Sequence, residues 1–309
     1  MVVPKSKNML LLPENVRFRV YPKIIHPAFN LFFVSFESWK NNSDTTIFQN
    51  FAGFSRNGKV FIHDFIFFDH PEWFSKIQNR YFRIMKPMAK ISGVKIFTST
   101  ETEKKRISKF LPSKHISIAP LGVSKALRLA EPERPKKLNI QAQEFYFTVG
   151  RNDPRKNLKL LISAYIDKSK KEKLPELIVL GMTAEEFSKS NKFQLESSSI
   201  HFLSHVSHSE LSWLYKNCRT FFFLSLDEGF GLPVLEALYF KAPLVISDLE
   251  VFREVSCNSA IFINPQSAKD VSKYLSWNID INHLGIQQAN LDTKIFEWDQ
   301  CVNNLREKV

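Results

Sequence analysis

Residues 221–240 read FFFLSLDEGFGLPVLEALYF, and the stretch changes character twice. Phe221–Leu224 is an apolar run of strand type. Asp227, Glu228, Gly229, Phe230 and Gly231 make a polar, glycine-bearing turn. Pro233–Phe240 then reads as a helix, with proline in the first turn, where its missing N–H is no loss. The same succession occurs upstream. FYFTV (Phe145–Val149) precedes a polar loop, after which Leu158, Leu161, Ile162, Tyr165 and Ile166 share one helical face. Leu177–Leu180, Ile200–Leu203 and Leu244–Ile246 read as further strands, and Leu211, Leu214 and Tyr215 fit a helix. Strand and helix alternating at this spacing predict a parallel, doubly wound α/β sheet.

Open parallel sheets bind ligands beyond the carboxyl ends of their strands. Two such ends carry unusual residues. After FYFTV come Gly150, Arg151, Asn152, Asp153, Pro154, Arg155, Lys156 and Asn157. A glycine turn, cations and a helix start suit phosphate, with Asn157 as expected N-cap. The alternative is a cationic loop without a ligand. At the second end, Glu228 lies on the loop and Glu236 eight residues on, among Val234, Leu235, Ala237 and Leu238. A carboxylate among apolar side chains is costly unless it is paired or bound. Two carboxylates around one pocket suit a polyol, because each accepts hydroxyl donors. The alternative for Glu236 is a capping or salt-bridge residue.

The combination Gly150-Arg151…Arg155-Lys156-Asn157 with Glu228-Gly229-Phe230-Gly231-Leu232-Pro233-Val234-Leu235-Glu236-Ala237-Leu238 resembles the donor half of the retaining family 4 glycosyltransferases, glycosyl transferases group 1. Phe202-Leu203…Val206 with Glu210-Leu211, Pro243-Leu244-Val245 with Ser247, Glu254, and Phe296…Trp298 match as well. So do Ile62-His63-Asp64, His70-Pro71-Glu72, Thr98-Ser99 and Leu121-Gly122-Val123 in the first half. The resemblance covers roughly residues 45–309.

It implies a GT-B fold, two Rossmann-like domains facing a cleft, and hexosyl transfer from a nucleotide-diphosphate sugar with retention and without a metal or other cofactor. By the match, Arg151 and Lys156 hold the diphosphate and stabilise the charge growing on the leaving group. Glu228 and the Gly229, Phe230 and Gly231 backbone hold sugar hydroxyls, with Leu232 beside them. Glu236 holds the ribose, the Val206 backbone faces the base, and His63 reaches the donor sugar. The implied acceptor is a glycan or polyprenyl-diphosphate-linked carrier in surface polysaccharide synthesis, with mannose or rhamnose as the sugar. The family usually opens with a strand and a glycine-rich loop. Residues 1–52 contain no glycine, so the N-terminal domain is expected to be incomplete. A non-catalytic nucleotide-sugar-binding or scaffold subunit is the alternative.

The chain has 309 residues, 44% hydrophobic and 24% charged, which excludes disorder as the main state and fits two domains. The charged, proline-bearing segment EPERPKK (131–137) reads as a linker. It gives an N-terminal domain over 1–135, a nucleotide-sugar domain over 136–285 and a returning C-terminal helix over 286–309. Three scattered cysteines without a CxxC exclude a disulfide framework and a cysteine zinc site, and fit the cytoplasm. His201, His205 and His208 cluster on strand and turn, a poor zinc context. Asp69-His70 reads as a structural turn rather than a dyad. No apolar run reaches the ~18 residues of a membrane span.

The net charge is +12 and one-sided. Residues 1–125 hold 20 of the 43 basic side chains and only 8 of the 31 acidic ones. Such a field attracts anionic surfaces. Ser75–Ile91 reads as a helix bent at Pro87, with Ile77, Tyr81, Ile84, Met88 and Ile91 as its core stripe. Lys76, Arg80, Arg83, Lys86 and Lys90 lie mostly on the other face. An anionic membrane surface, the inner face of the plasma membrane, is the expected contact of residues 76–90. Nucleic-acid binding, suggested by Arg80-Tyr81-Phe82-Arg83, is the weaker reading.

Overall fold

The computed structural model describes residues 2–4, 19–21, 25–191, 198–276 and 297–307. The chain divides into two units, residues 1–119 with 302–309, and residues 120–301. The division falls upstream of the charged segment 131–137. The chain before the segment and the segment itself are both anchored in the second unit: Leu127 is buried and Arg128 pairs with Glu297 at 3.0 Å ahead of it, and within it the Glu133 N–H donates to the Ser209 carbonyl at 3.1 Å. Of the C-terminal stretch 286–309, residues 286–296, Phe296 among them, lie outside the described residues.

The first unit contains a short parallel pair, β1 (Val2–Pro4) and β2 (Arg19–Tyr21), and a four-stranded parallel sheet. The sheet order is β3 (Thr46–Gln49), β4 (Gly58–Phe61), β5 (Lys95–Thr98), β6 (Ile116–Ile118). Its core is phenylalanine-rich. Phe65, Phe67, Phe68, Phe82 and Phe110 touch in a chain of tilted and stacked rings around buried Val60, Ile62 and Ile96. Each fully buried phenylalanine contributes about 1.5–3 kcal/mol by leaving water.

Two expectations for this unit are corrected. The stretch 75–91 is two helices, Lys76–Arg83 and Met85–Ser92, and they part at Ile84 rather than at Pro87. A proline ring clashes with the carbonyl one turn upstream, so the break appears before the proline. The isoleucine stripe is also not a core stripe. Ile77 is 83% exposed and Ile91 72%, whereas Met85 and Ala89 are buried. The core takes Met85 and Ala89, with Phe82 and the stripe's own Tyr81 and Met88 packed against it, while the isoleucines stay outside.

The second unit holds six parallel strands: β7 (Phe145–Val149), β8 (Glu176–Leu180), β9 (Ile200–Leu203), β10 (Thr220–Phe223), β11 (Leu244–Ser247) and β12 (Ile261–Ile263). Their order is β12-β11-β10-β7-β8-β9. Five of the six follow the expected runs within a residue at either end, and β12 is an addition. Helices Leu158–Ser169, His208–Asn217 and Leu232–Tyr239 connect them, and buried Tyr146, Ile162, Tyr165, Leu177, Val179, Phe222 and Val245 form the core between layers. From β7 the chain runs outward through β8 and β9, then returns to the other side with β10, β11 and β12. The direction of winding therefore reverses between β7 and β10, where a doubly wound sheet opens a crevice at its carboxyl edge.

Candidate active site

The loops leaving β7 and β10 are the ones the sequence singled out, and the strand order makes them neighbours. The Leu226 N–H donates to the Arg155 carbonyl at 2.7 Å, tying loop to loop. Pro154–Lys156 forms a short 3-10 turn capped by Asp153, whose carboxylate accepts from the Arg155 N–H at 2.9 Å and from its guanidinium at 2.8 Å. Burial alone would raise that carboxyl. The hydrogen bonds and charge of Arg155 outweigh it and hold the group below its ordinary value. Arg155 is thus committed to Asp153, while Arg151 is exposed on the loop.

Asn157 is not an N-cap in action. Its backbone is left-handed, φ 53°, and its side-chain amide donates to the Pro265 carbonyl at 2.6 Å, so it is turned away from the helix start. It pins the loop against the chain after β12.

The Lys156 ammonium donates to Oε1 of Glu228 and lies 5.1 Å from the centre of the Phe223 ring. The Glu228 N–H donates to Asp227 Oδ1 at 2.8 Å. Gly229, Phe230 and Gly231 are buried behind it, and Gly231 takes φ 92°. A Cβ there would stand 2.7 Å from Phe252 Cε1, so only glycine lets the turn close onto Leu232 and the next helix.

Glu236 is half-buried one turn further along the helix. Its Oε2 accepts from the Tyr215 hydroxyl at 2.8 Å. Burial raises the Glu236 carboxyl, and the Tyr215 hydrogen bond offsets part of that rise. Tyr215 is fully buried and held well above its ordinary value, first by burial and then by the Glu236 charge, so it stays a donor. Tyr215 is a residue that sequence reasoning used only as a helix face. Nothing in its spacing marks its partner.

Val206 follows β9 at the sheet edge, two strands from β7, and is half-buried. His63 belongs to the first unit, just after β4. Its backbone N–H donates to Asn50 Oδ1 at 3.1 Å, and its ring Nε2 lies 2.9 Å from the Gln49 side-chain amide. Burial lowers the imidazole below its ordinary value, in keeping with a neutral ring. Asp69 and His70 part company: Asp69 accepts from Arg106 at 3.0 Å, and His70 stacks on Trp73 and pairs with Glu72. His201 pairs with Glu176 at 2.6 Å. Among the described residues no three His, Cys, Asp or Glu side chains converge as metal ligands.

Residues 130–292, which carry both of the loops leaving β7 and β10, match the family described as "Glycosyl transferases group 1". The chain belongs to this family. The O-antigen chain mannosyltransferase RfbU of Salmonella typhimurium is 30% identical over 236 residues, 74% of this chain and 61% of the relative. The O-antigen chain mannosyltransferase B of Escherichia coli is 27% identical over 259 residues, 77% and 66% of the two chains. This member of the glycosyl transferases group 1 therefore spans less than two thirds of either relative. Sucrose-phosphate synthase from Thermosynechococcus elongatus superposes with a TM-score of 0.62 over 88% of this chain and 69% of that one, at 16% identity. The α/β fold with parallel sheets is that of GT-B glycosyltransferases.

Proposed function

We propose that the protein is a retaining hexosyltransferase that moves mannose from a guanosine-diphosphate donor to a glycan or polyprenyl-diphosphate-linked acceptor in surface polysaccharide synthesis. The carrying observation is the Lys156–Glu228 pair at the reversal of the sheet, on the two loops a donor bound at the carboxyl edge would meet. The names of the relatives favour mannose over rhamnose.

In this reading Lys156 and Arg151 take the diphosphate oxygens, and no metal is needed to neutralise them. Glu228 accepts from sugar hydroxyls, Glu236 from the ribose, Val206 meets the base and His63 the donor sugar. The anomeric C–O bond to the β-phosphate breaks, and its electron pair stays on the phosphate, where Lys156 and Arg151 stabilise the charge. The acceptor oxygen bonds to the same face of the anomeric carbon. Its proton passes to the departing phosphate oxygen, so no protein base is required.

The test is guanosine-diphosphate release from GDP-mannose with and without a mannose-terminated polyprenyl-diphosphate acceptor, with the product's anomeric configuration read by NMR. Acceptor-dependent release giving the α-linked product supports the reading. Binding of the donor without release on any acceptor leaves a nucleotide-sugar-binding subunit and overturns it. A β-linked product overturns retention alone.

A further inference from the structure

The first unit exposes apolar side chains in two rows. One row lies on the helical run 26–40, which includes a π-helical turn at Asn30–Val34. Ile25, Phe32, Phe36 and Trp39 recur there at near-heptad spacing, and Phe32 is 62% and Trp39 80% exposed. The other row is Ile77, Ile84 and Ile91, at intervals of seven. The two runs meet at a shared ring and a shared depression. His26 and Tyr81 both pack on Phe51, at 5.4 and 5.0 Å between ring centres, and Trp39 and Ser92 line one depression of about 700 Å³. Of the twelve exposed large apolar side chains among the described residues, nine fall between Ile25 and Ile91. Concentration of this kind marks a contact surface rather than ordinary scatter.

The charges name the occupant. From Glu72 to Glu101 the sequence carries six cations and no acid between them. Lys76 and Arg80 rim a second hollow, about 410 Å³, whose other lining residues are Ile77, Tyr81 and Ile84. Lys90 stands exposed beside Ile91. A second copy of the chain would bring this cationic surface against itself. Nucleic acid would satisfy the cations but leave the isoleucines wet. A bilayer with anionic headgroups takes both: phosphates for Lys and Arg, hydrocarbon for Ile and Phe, and the interface for Trp39. We propose that the paired surface of residues 25–40 and 76–92 docks on an anionic phospholipid bilayer. This holds whichever sugar is transferred, and its test does not read transfer.

The experiment is co-sedimentation of the full chain with vesicles of pure phosphatidylcholine and of phosphatidylcholine with 30 mol% phosphatidylglycerol (about a third anionic lipid). Binding to the anionic vesicles is expected to exceed binding to the neutral ones at least tenfold. Each cation near such a surface is worth about fivefold, so Lys76→Gln/Arg80→Gln/Lys90→Gln is expected to weaken binding on the order of a hundredfold. Ile77→Ser/Ile91→Ser, with the charges kept, is expected to weaken it about tenfold or more. Brominated lipid should quench wild-type fluorescence more than that of Trp39→Phe. All these positions are exposed, so an unchanged melting curve confirms folding. Equal binding to neutral and anionic vesicles overturns the proposal, as does a charge-stripped variant that binds like wild type. Self-association or oligonucleotide binding through these residues in place of vesicle binding overturns it too.

Discussion

Lys156 donates to Glu228, 72 residues further along the chain, and this contact joins the loops on either side of the point where the second sheet reverses its winding. The pair is mostly removed from solvent, and Lys156 rests on the Phe223 ring. Attraction between the two is therefore less screened than on an open surface, and loss of either strands the other.

Lys156→Met or Glu228→Gln alone is expected to lower unfolding free energy by about 1–3 kcal/mol, because each leaves one charge short of its partner. The double variant should lose less than the sum of the two. Urea titration of all four proteins gives the coupling. Strict additivity would remove the energetic link between the loops. Each single variant should also lose a hundredfold or more in kcat/KM, as expected when a charge-stabilising group is removed.

Tyr215→Phe isolates the hydroxyl that holds Glu236. Without it the carboxyl keeps its burial and loses the contact that opposes the rise. Donor affinity is expected to fall roughly tenfold, the effect of one buried hydrogen bond to a charged group, with KM rising and kcat nearly unchanged. A raised carboxyl takes up its proton sooner as pH falls. The variant's donor binding should therefore weaken from a higher pH than that of the wild type. Isothermal titration across pH 5–8 (about the range in which most proteins stay folded) reads both effects. An unchanged donor affinity would detach Glu236 from the donor site.

Much of the second unit was legible because its helices and strands alternate with clean periods, and the site loops sit where strands such as Phe145–Val149 end. Lys156 and Glu228 were both readable as candidates, but their contact was not: it depends on β7 and β10 being neighbours, and strand order is a long-range fact. Tyr215 hid as one apolar position of a helix, since a tyrosine in a core stripe looks the same with or without an acceptor. The first unit misled more. The isoleucine spacing at 77, 84 and 91 marks a helix face, and periodicity alone does not say whether that face meets core or surroundings. Pro87 gave the existence of a break, and the carbonyl it obstructs gave the place.

Gly231→Ala is expected to be severe and Gly93→Ala mild. Both glycines have positive φ, 92° and 63°, which disfavours a side chain by about 1–2 kcal/mol. Gly93 has open space around the added carbon, whereas at Gly231 it would strike the Phe252 ring. Overpacking of that kind adds about 1–3 kcal/mol. Thermal melts should separate the two variants clearly, and Gly231→Ala alone should impair donor binding. Equal melting temperatures would mean that Phe252 yields freely.

His63→Gln tests the neutral ring beside Gln49 and Asn50. A histidine held by burial below its ordinary value of 6.5 binds its proton more weakly folded than unfolded. Its contribution to stability is therefore fully present above about pH 6.5 and is lost as pH falls toward the folded value. Wild-type protein should lose more melting temperature than the glutamine variant between about pH 7.5 and 5.5. His26, lowered in the same direction, is common to both and cancels in the difference. Parallel pH profiles for the two proteins would show that the His63 ring titrates as it does in the unfolded chain, and the assignment of a neutral imidazole held by burial would fall with them.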